Sequence, residues 1–289
     1  MNGGISRLQQ PEQLAALDFE YVQNLVREHT GIALDNSKIY LVNARLLPVA
    51  REAGIDSVSA LIKHLRTRAF GDLHLRSVEA IVTTETSFFR DYFPFEALQQ
   101  EVIPKLISSR RTGLRTLTIW SAGCSSGQEP YSLAMMLSES FPQLAGWTVR
   151  LLASDVSQSI LERARAARYS QVEINRGLPA SMLVKYFNQQ AGSWVLRDDI
   201  RSMVTFFQHN LLRDDPTLPQ VDILLLRNVL IYFDVATKRQ ILDRIRRHLR
   251  SGGLLMLGTA ETTLNLDERF ERLRIGRAVF YRVAGKEAR

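Results

Sequence analysis

With 289 residues, 45% of them hydrophobic and 23% charged, the chain has an ordinary globular composition and room for one large or two modest domains. No apolar run approaches the ~20 residues of a membrane helix, the opening MNGGISRLQQPEQ lacks a signal peptide's apolar core, and the single Cys124 excludes an internal disulfide framework or a Cys-rich metal site. The expectation is a reduced, cytoplasmic protein, while a net charge of +7 and a pI near 9.7 ask for an acidic partner: nucleic acid, a membrane surface or an acidic protein.

The early part of the chain, to about residue 85, reads as all-helical. Phe19, Val22, Leu25 and Val26 fall at helical spacing, and Gly31 supplies a C-terminal stop. Asp35-Asn36-Ser37 offers N-cap chemistry for a helix through Ile39, Val42, Leu46 and Leu47, which Gly54 ends. Ser57 opens a third helix with Val58, Leu61, Ile62 and Leu65, and a fourth covers Leu73 to Ile81. Within this part, Lys38 to Arg68 holds six basic residues against Glu52 and Asp56. Such a run is commonly a solvated helix face; it is also what a docking surface for an acidic partner requires.

Further on, strands and helices alternate. Leu117–Ala122, Thr148–Ala153, Met203–Gln208, Val221–Arg227 and Leu254–Gly258 read as strands. Glu129–Ser140, Ser157–Ala167 and Ala236–Leu249 read as helices. Short apolar strands between amphipathic helices imply a parallel sheet covered on both faces. Tyr169 to Ile200 breaks the rhythm with a short helix and a hairpin, and the tail from Phe270 to Tyr281 supplies closing antiparallel strands.

Ligands in such sheets bind at the carboxyl ends of the strands. There, WSAGCSSGQEPY places Gly123 and Gly127 around three small residues, so that backbone can approach a ligand at a helix start. Asp155 closes the next strand, where an acid accepts ribose hydroxyls, and Glu129 adds a second carboxylate. Two acids disfavour a pyrophosphate and favour a nucleoside carrying an amino group, as in S-adenosylmethionine. Asn210-Leu211 follows the next strand, with an amide and a backbone N–H suited to an adenine edge; a turn-forming Asn explains the same pair. Arg227-Asn228 ends the most apolar strand, an expensive place for polar groups without a partner. Tyr232 reads on spacing alone as a core aromatic.

TTETSFFRD, WSAGCSSGQEPYSLA, LLASDVS, ILERARAARY, FFQHNLL and DILLLRNVLIYF, in this order, closely resemble the chemoreceptor glutamate O-methyltransferases of bacterial chemotaxis, the CheR type. The resemblance covers nearly the whole chain. It implies an α/β fold, a Rossmann-like class I methyltransferase sheet with an N-terminal all-helical domain and a small inserted antiparallel β-subdomain. The expected divisions are 1–85, a receptor-docking helical domain; 86–96, a linker contributing to the active site; and 97–289, the methyltransferase domain, with the insert at about 169–202. Carried onto matching positions, the family's cofactor contacts are Thr84, Thr86, Arg90, Glu129, Asp155, Asn210, Leu211, Arg227 and Asn228, beside Gly123 in the loop. Arg90 and Tyr232 become the expected catalytic residues. The cofactor implied is S-adenosyl-L-methionine, with S-adenosyl-L-homocysteine as product and no metal.

The implied partners are methyl-accepting chemoreceptors, docked by glutamate-rich helices on the basic span Lys38–Arg68, with Arg45, Arg51, Lys63 and Arg66 as its test residues. The enzyme is then cytoplasmic and recruited to membrane-bound receptor arrays. The short hairpin at Asn188–Ser193 argues against a C-terminal tethering peptide. Thr84 stands where the family usually has Asn, Gln128 replaces a common Glu, and Gly258 to Glu261 departs from the usual Gly-His-Ser-Glu and receives no role. A nucleic-acid methyltransferase, the rival invited by the pI, commonly carries an N/D-P-P-Y/F cluster where RNVLIYF stands, so no nucleic-acid partner is expected. A non-catalytic S-adenosylmethionine sensor is opposed by the intact Arg90 and Tyr232. An NAD(P) oxidoreductase lacks its GxGxxG.

Overall fold

The computed structural model describes residues 14–110 and 115–284, so the opening stretch weighed above for a signal peptide lies outside the described residues. Packing separates the chain into two compact units that divide between Thr83 and Thr84.

The first unit holds α1 (Ala16–Thr30), a 3-10 turn (Asn36–Lys38), α2 (Ile39–Glu52), α3 (Val58–Arg66) and α4 (Asp72–Ile81). Its ends follow local chemistry. Gly31 adopts φ +75° and returns its N–H to Arg27 O, while Ser57 Oγ accepts from Ala60 N–H at 3.1 Å. Phe19, Val26, Val42, Leu46, Leu61, Ile62, Leu65 and Val78 form its buried interior.

The basic span divides in two. Arg45 Nη1 donates to Ile81 O and Val82 O at 2.8 and 2.9 Å, closing the end of α4. Arg66 reaches Leu17 O and Asp18 and lies over the Tyr21 ring. These two arginines thus also tie elements of the helical unit together. Lys38, Arg51, Lys63, Arg66 and Arg68 are exposed, and Arg45 is half-buried.

The second unit opens with α5 (Phe93–Ala97) and α6 (Ile103–Ser109), joined through a π-helical turn at Leu98–Val102. There follow β1 (Thr116–Ala122), α7 (Gln128–Ser140), β2 (Thr148–Asp155), α8 (Gln158–Ala166), β3 (Arg168–Tyr169), α9 (Gln171–Asn175), α10 (Ala180–Tyr186), β4 (Phe187–Gln190) and β5 (Ser193–Leu196). The chain continues through α11 (Asp198–Arg201), β6 (Val204–Gln208), β7 (Val221–Leu226), α12 (Val235–His248), β8 (Leu249–Leu257), β9 (Phe270–Ile275) and β10 (Ala278–Val283).

The main sheet has the order β6-β2-β1-β7-β8-β10-β9. The first five strands run parallel, and β10 pairs antiparallel with β8 and β9. All six residues of β7 are buried. Its Asp222 accepts from Thr118 N–H at 2.8 Å and pairs with Arg110 and Arg250, so the carboxylate is fully partnered at the sheet's amino-terminal end. The winding reverses between β1 and β7, which opens a crevice at the carboxyl ends of these strands. Beside the main sheet, β3-β5-β4 forms a small antiparallel sheet. Its hairpin turns on Ala191-Gly192, both at positive φ, as a two-residue type I′ turn demands.

Candidate active site

The loop after β1 is fastened to the end of β2. Gly123 and Cys124 donate their N–H groups to Ser154 O at 2.8 and 2.9 Å, and Ser125 N–H donates to Asp155 Oδ2 at 2.9 Å. Asp155 Oδ1 accepts from Ser157 N–H at 3.1 Å, and the residue stays half-buried. Gly123 has φ +74°, and a Cβ there would meet Val229 Cγ2 at 2.5 Å, so only glycine lets the loop lie this close to the segment after β7. Ser125 Oγ donates to Thr84 O at 2.6 Å and brings the TTETS segment onto the loop.

Glu129, in the first turn of α7, is not a second open carboxylate. Its Oε1 accepts from Ser121 Oγ at 2.7 Å and its Oε2 from Arg227 Nη1 at 2.9 Å. Both acids therefore have protein partners, Asp155 through backbone N–H groups and Glu129 through Ser121 and Arg227. The Arg227 side chain is 1% exposed; its Nη2 donates to Arg90 O and Asp91 Oδ2, both at 2.7 Å, and the guanidinium lies over Phe95. The cation at the end of β7 thus meets protein acceptors.

Asn228 adopts φ +58° and begins a loop held by one carboxylate. Glu261 accepts from Asn228 N–H (2.7 Å), Val229 N–H (2.9 Å), Ile231 N–H (3.2 Å) and Gly258 N–H (2.7 Å). Tyr232 lies half-buried on the 3-10 turn Leu230–Tyr232, beyond this clamp. After β6, His209 N–H donates to Asp155 O at 3.0 Å, while Asn210 Oδ1 accepts from Leu212 N–H at 2.9 Å. The Asn210 acceptor therefore makes the local turn that its residue type favours, and Leu211 is half-buried beside it.

Arg90 is half-buried, donates to Glu85 O at 3.2 Å and, with Arg176 and Met182, lines a hollow of about 700 Å³. Thr86 is half-buried, and no hydrogen bond among the described residues joins its side chain to the other candidates. Cys124 is 1% exposed and burial pushes its thiol well up, which leaves it a small packing residue.

Hydrogen bonds thus gather Gly123, Asp155, Thr84, Glu129, Arg227 and the Arg90 backbone around the ends of β1, β2 and β7, with Asn228 anchored alongside. Sequence reasoning passed over Asp91, Ser125 and Glu261. Glu261 had a signal: a buried strand followed three residues later by an acid. Asp91 sat inside the TTETSFFRD motif without a reason to be singled out.

The residues fit S-adenosylmethionine. Asp155 is a partly exposed carboxylate at a ribose-binding position, and Asn228 Oδ1 is a buried acceptor with no partner among the described residues, as a ligand's ammonium or hydroxyl would require. An α/β sheet whose winding reverses over such a loop, with a carboxylate closing β2 and, among the described residues, an unpartnered Asn228 Oδ1 after β7, fits the class of S-adenosylmethionine-dependent methyltransferases.

Family comparison narrows this. A model described as CheR methyltransferase, SAM binding domain, matches residues 84–279, and one described as CheR methyltransferase, all-alpha domain, matches residues 17–81. The chain belongs to the CheR methyltransferase family, and S-adenosylmethionine is its methyl donor. It is 40% identical to chemotaxis protein methyltransferase 1 of Pseudomonas aeruginosa over 93% of this chain and 98% of that protein. It is 36% identical to chemotaxis protein methyltransferase Cher2 of Pseudomonas putida, over 92% and 97%. Chemotaxis protein methyltransferase 1 of Vibrio cholerae is 35% identical, over 88% and 92%. Among solved structures, the glycopeptide N-methyltransferase MtfA with S-adenosyl-L-methionine covers 69% of this chain and 70% of its own at 18% identity and a TM-score of 0.33, a likeness too loose to bear on the site.

Proposed function

We propose that this chain acts in chemotaxis, transferring the methyl group of S-adenosylmethionine to glutamate side-chain carboxylates of methyl-accepting chemoreceptors to form methyl esters. The relatives' shared name supports the pathway. The observation that carries the chemistry is the bridge from Glu129 through Arg227 to the turn of Arg90, which links the cofactor loop to a cation beside an open hollow.

When bound, S-adenosylmethionine supplies an electrophilic methyl group on a sulfonium. In this reading Asp155 accepts from the ribose, Asn210 and the Leu211 backbone meet the adenine edge, and Gly123 lets backbone approach. Asn228 Oδ1, Thr84, Thr86 and the first turn of α7 at Glu129 surround the amino-acid end, and Arg227 contributes backbone while its side chain holds Glu129. Arg90 orients the acceptor carboxylate, and Tyr232 offers it one hydrogen bond. A glutamate with an unperturbed pKa near 4.3 is already ionised at neutral pH, so these residues need take no proton from it. Opposite charges annihilate in the transfer, so alignment and exclusion of water are the protein's contributions.

The helical domain docks the receptor's acidic helices through exposed Lys38, Arg51, Lys63 and Arg68, and residues 86–96 supply the Arg90 turn. The two-residue turn at Ala191-Gly192 leaves a short hairpin, consistent with docking that requires no tethering peptide. Incubation with tritiated S-adenosylmethionine and receptor membranes, followed by alkaline release of labelled methanol, tests the proposal. Release by wild type and its loss in Arg90→Ala is expected. Label that survives alkali, or appears in nucleic acid, sinks it.

A further inference from the structure

The segment carrying Arg90 is strained. Phe89, Asp91 and Tyr92 adopt φ of +47°, +67° and +48°, a region that non-glycine residues occupy only where their surroundings over-determine it. Those surroundings are identifiable. At one end Phe89 N–H donates to Ser132 Oγ at 3.0 Å, and Ser132 Oγ donates to Gln128 O at 2.6 Å. At the other, Arg227 Nη2 donates to Arg90 O and to Asp91 Oδ2, and Thr259 Oγ1 donates to Asp91 Oδ2 at 3.1 Å. Arg227 Nη1 returns to Glu129. Both ends of the turn are therefore tied to the start of α7, the helix that the cofactor loop opens, and Arg90 projects from between the two ties.

We infer that Asp91 is a positioning residue for methyl transfer: through Arg227 it locks the strained turn that presents Arg90 to the helix opened by the cofactor loop. The inference rests on the acceptor-orienting role proposed for Arg90. A role in stability alone accounts poorly for the arrangement. The Asp91 side chain is 36% exposed, and Arg227 keeps Glu129 when Asp91 is neutralised, so no buried charge is left unpaired. Asp91 instead fixes its own end of the turn and, through the Arg227 Nη2 that it shares with Arg90 O, the Arg90 carbonyl.

The test is a kinetic cycle with S-adenosylmethionine and receptor membranes. Asp91→Asn should lower kcat by about 10- to 100-fold, the range for one charge-assisted hydrogen bond, while the S-adenosylhomocysteine Kd stays within about threefold and the unfolding midpoint stays near wild type. Placed on Arg90→Gln, the same change should cost less than about threefold more, because the residue it positions is gone. A kcat within about twofold of wild type, or an equal loss in both backgrounds, overturns the inference. Should Asp91→Asn fold poorly, Thr259→Val removes only the exposed hydroxyl's bond to the Asp91 carboxylate and runs through the same cycle, with a loss of about three- to tenfold expected. Full turnover by Arg90→Gln would instead refute the role of Arg90, and this use of Asp91 with it, so the two failures are distinguishable.

Discussion

Replacing Glu261 with Gln perturbs the loop after β7 without replacing a residue proposed to meet cofactor or acceptor. The carboxylate accepts four backbone N–H groups, two on each oxygen: Asn228 and Gly258 on Oε2, Val229 and Ile231 on Oε1. A Gln side chain keeps one acceptor oxygen and turns an NH2 donor toward the other two amides. Two charge-assisted bonds are lost, each worth about 1.5–3 kcal/mol, and the half-buried position lets water recover part of this. A net loss of about 2–4 kcal/mol follows. In a unit of this size one kcal/mol moves Tm by about 2–4 °C, so a fall of about 4–15 °C is expected. With its clamp broken, Asn228 is free to leave φ +58°, and S-adenosylhomocysteine should bind about tenfold more weakly. Denaturant unfolding and calorimetric titration of the same preparation measure both. A stability change under about 0.5 kcal/mol with unchanged affinity would refute the view that one carboxylate shapes this loop.

Asp155→Ala should weaken S-adenosylhomocysteine binding by about 1–3 kcal/mol in calorimetry, since it removes a charged acceptor; unchanged affinity removes Asp155 from the site. Burial pushes both His209 and His248, which flank Trp120, below their usual pKa. The fold favours their neutral forms, so this stability is present above the unfolded value of 6.5 and is lost as the pH falls below it. The urea midpoint should drop between about pH 7.5 and about pH 5.5, less steeply in His209→Gln/His248→Gln, and equal slopes would contradict this. Arg51→Glu/Lys63→Glu should raise the receptor KM about tenfold or more, an effect fading with salt, and leave cofactor affinity intact; normal kinetics would return these side chains to the role of solvated helix faces.

Where local rules decide, the chain was readable. Gly31 and Ser57 mark helix ends that need only a left-handed residue or a side-chain acceptor, and the apolar runs of β1, β2, β6 and β7 appear where alternation with helices placed them. The α5–α6 helix went unnoticed. Pro104 falls inside it, and the π turn at Leu98–Val102 shifts its apolar phase, so no single helical period spans it. Long-range electrostatics were the other blind spot. Nothing adjacent in sequence shows that Arg45 closes α4, that Arg227 reaches back to Asp91 and Glu129, or that Glu261 holds the loop after β7. Each depends on partners dozens of residues away, brought together by helix packing in the first unit and by the sheet order in the second.

The most direct test of the central claim is where the methyl group goes. Receptor incubated with enzyme and S-adenosylmethionine, digested and mapped by mass spectrometry, should carry methyl groups on glutamate side chains, removable by mild alkali and missing when Arg90→Ala replaces the wild type. Methylation confined to lysine, to backbone termini or to co-purifying nucleic acid would contradict the account.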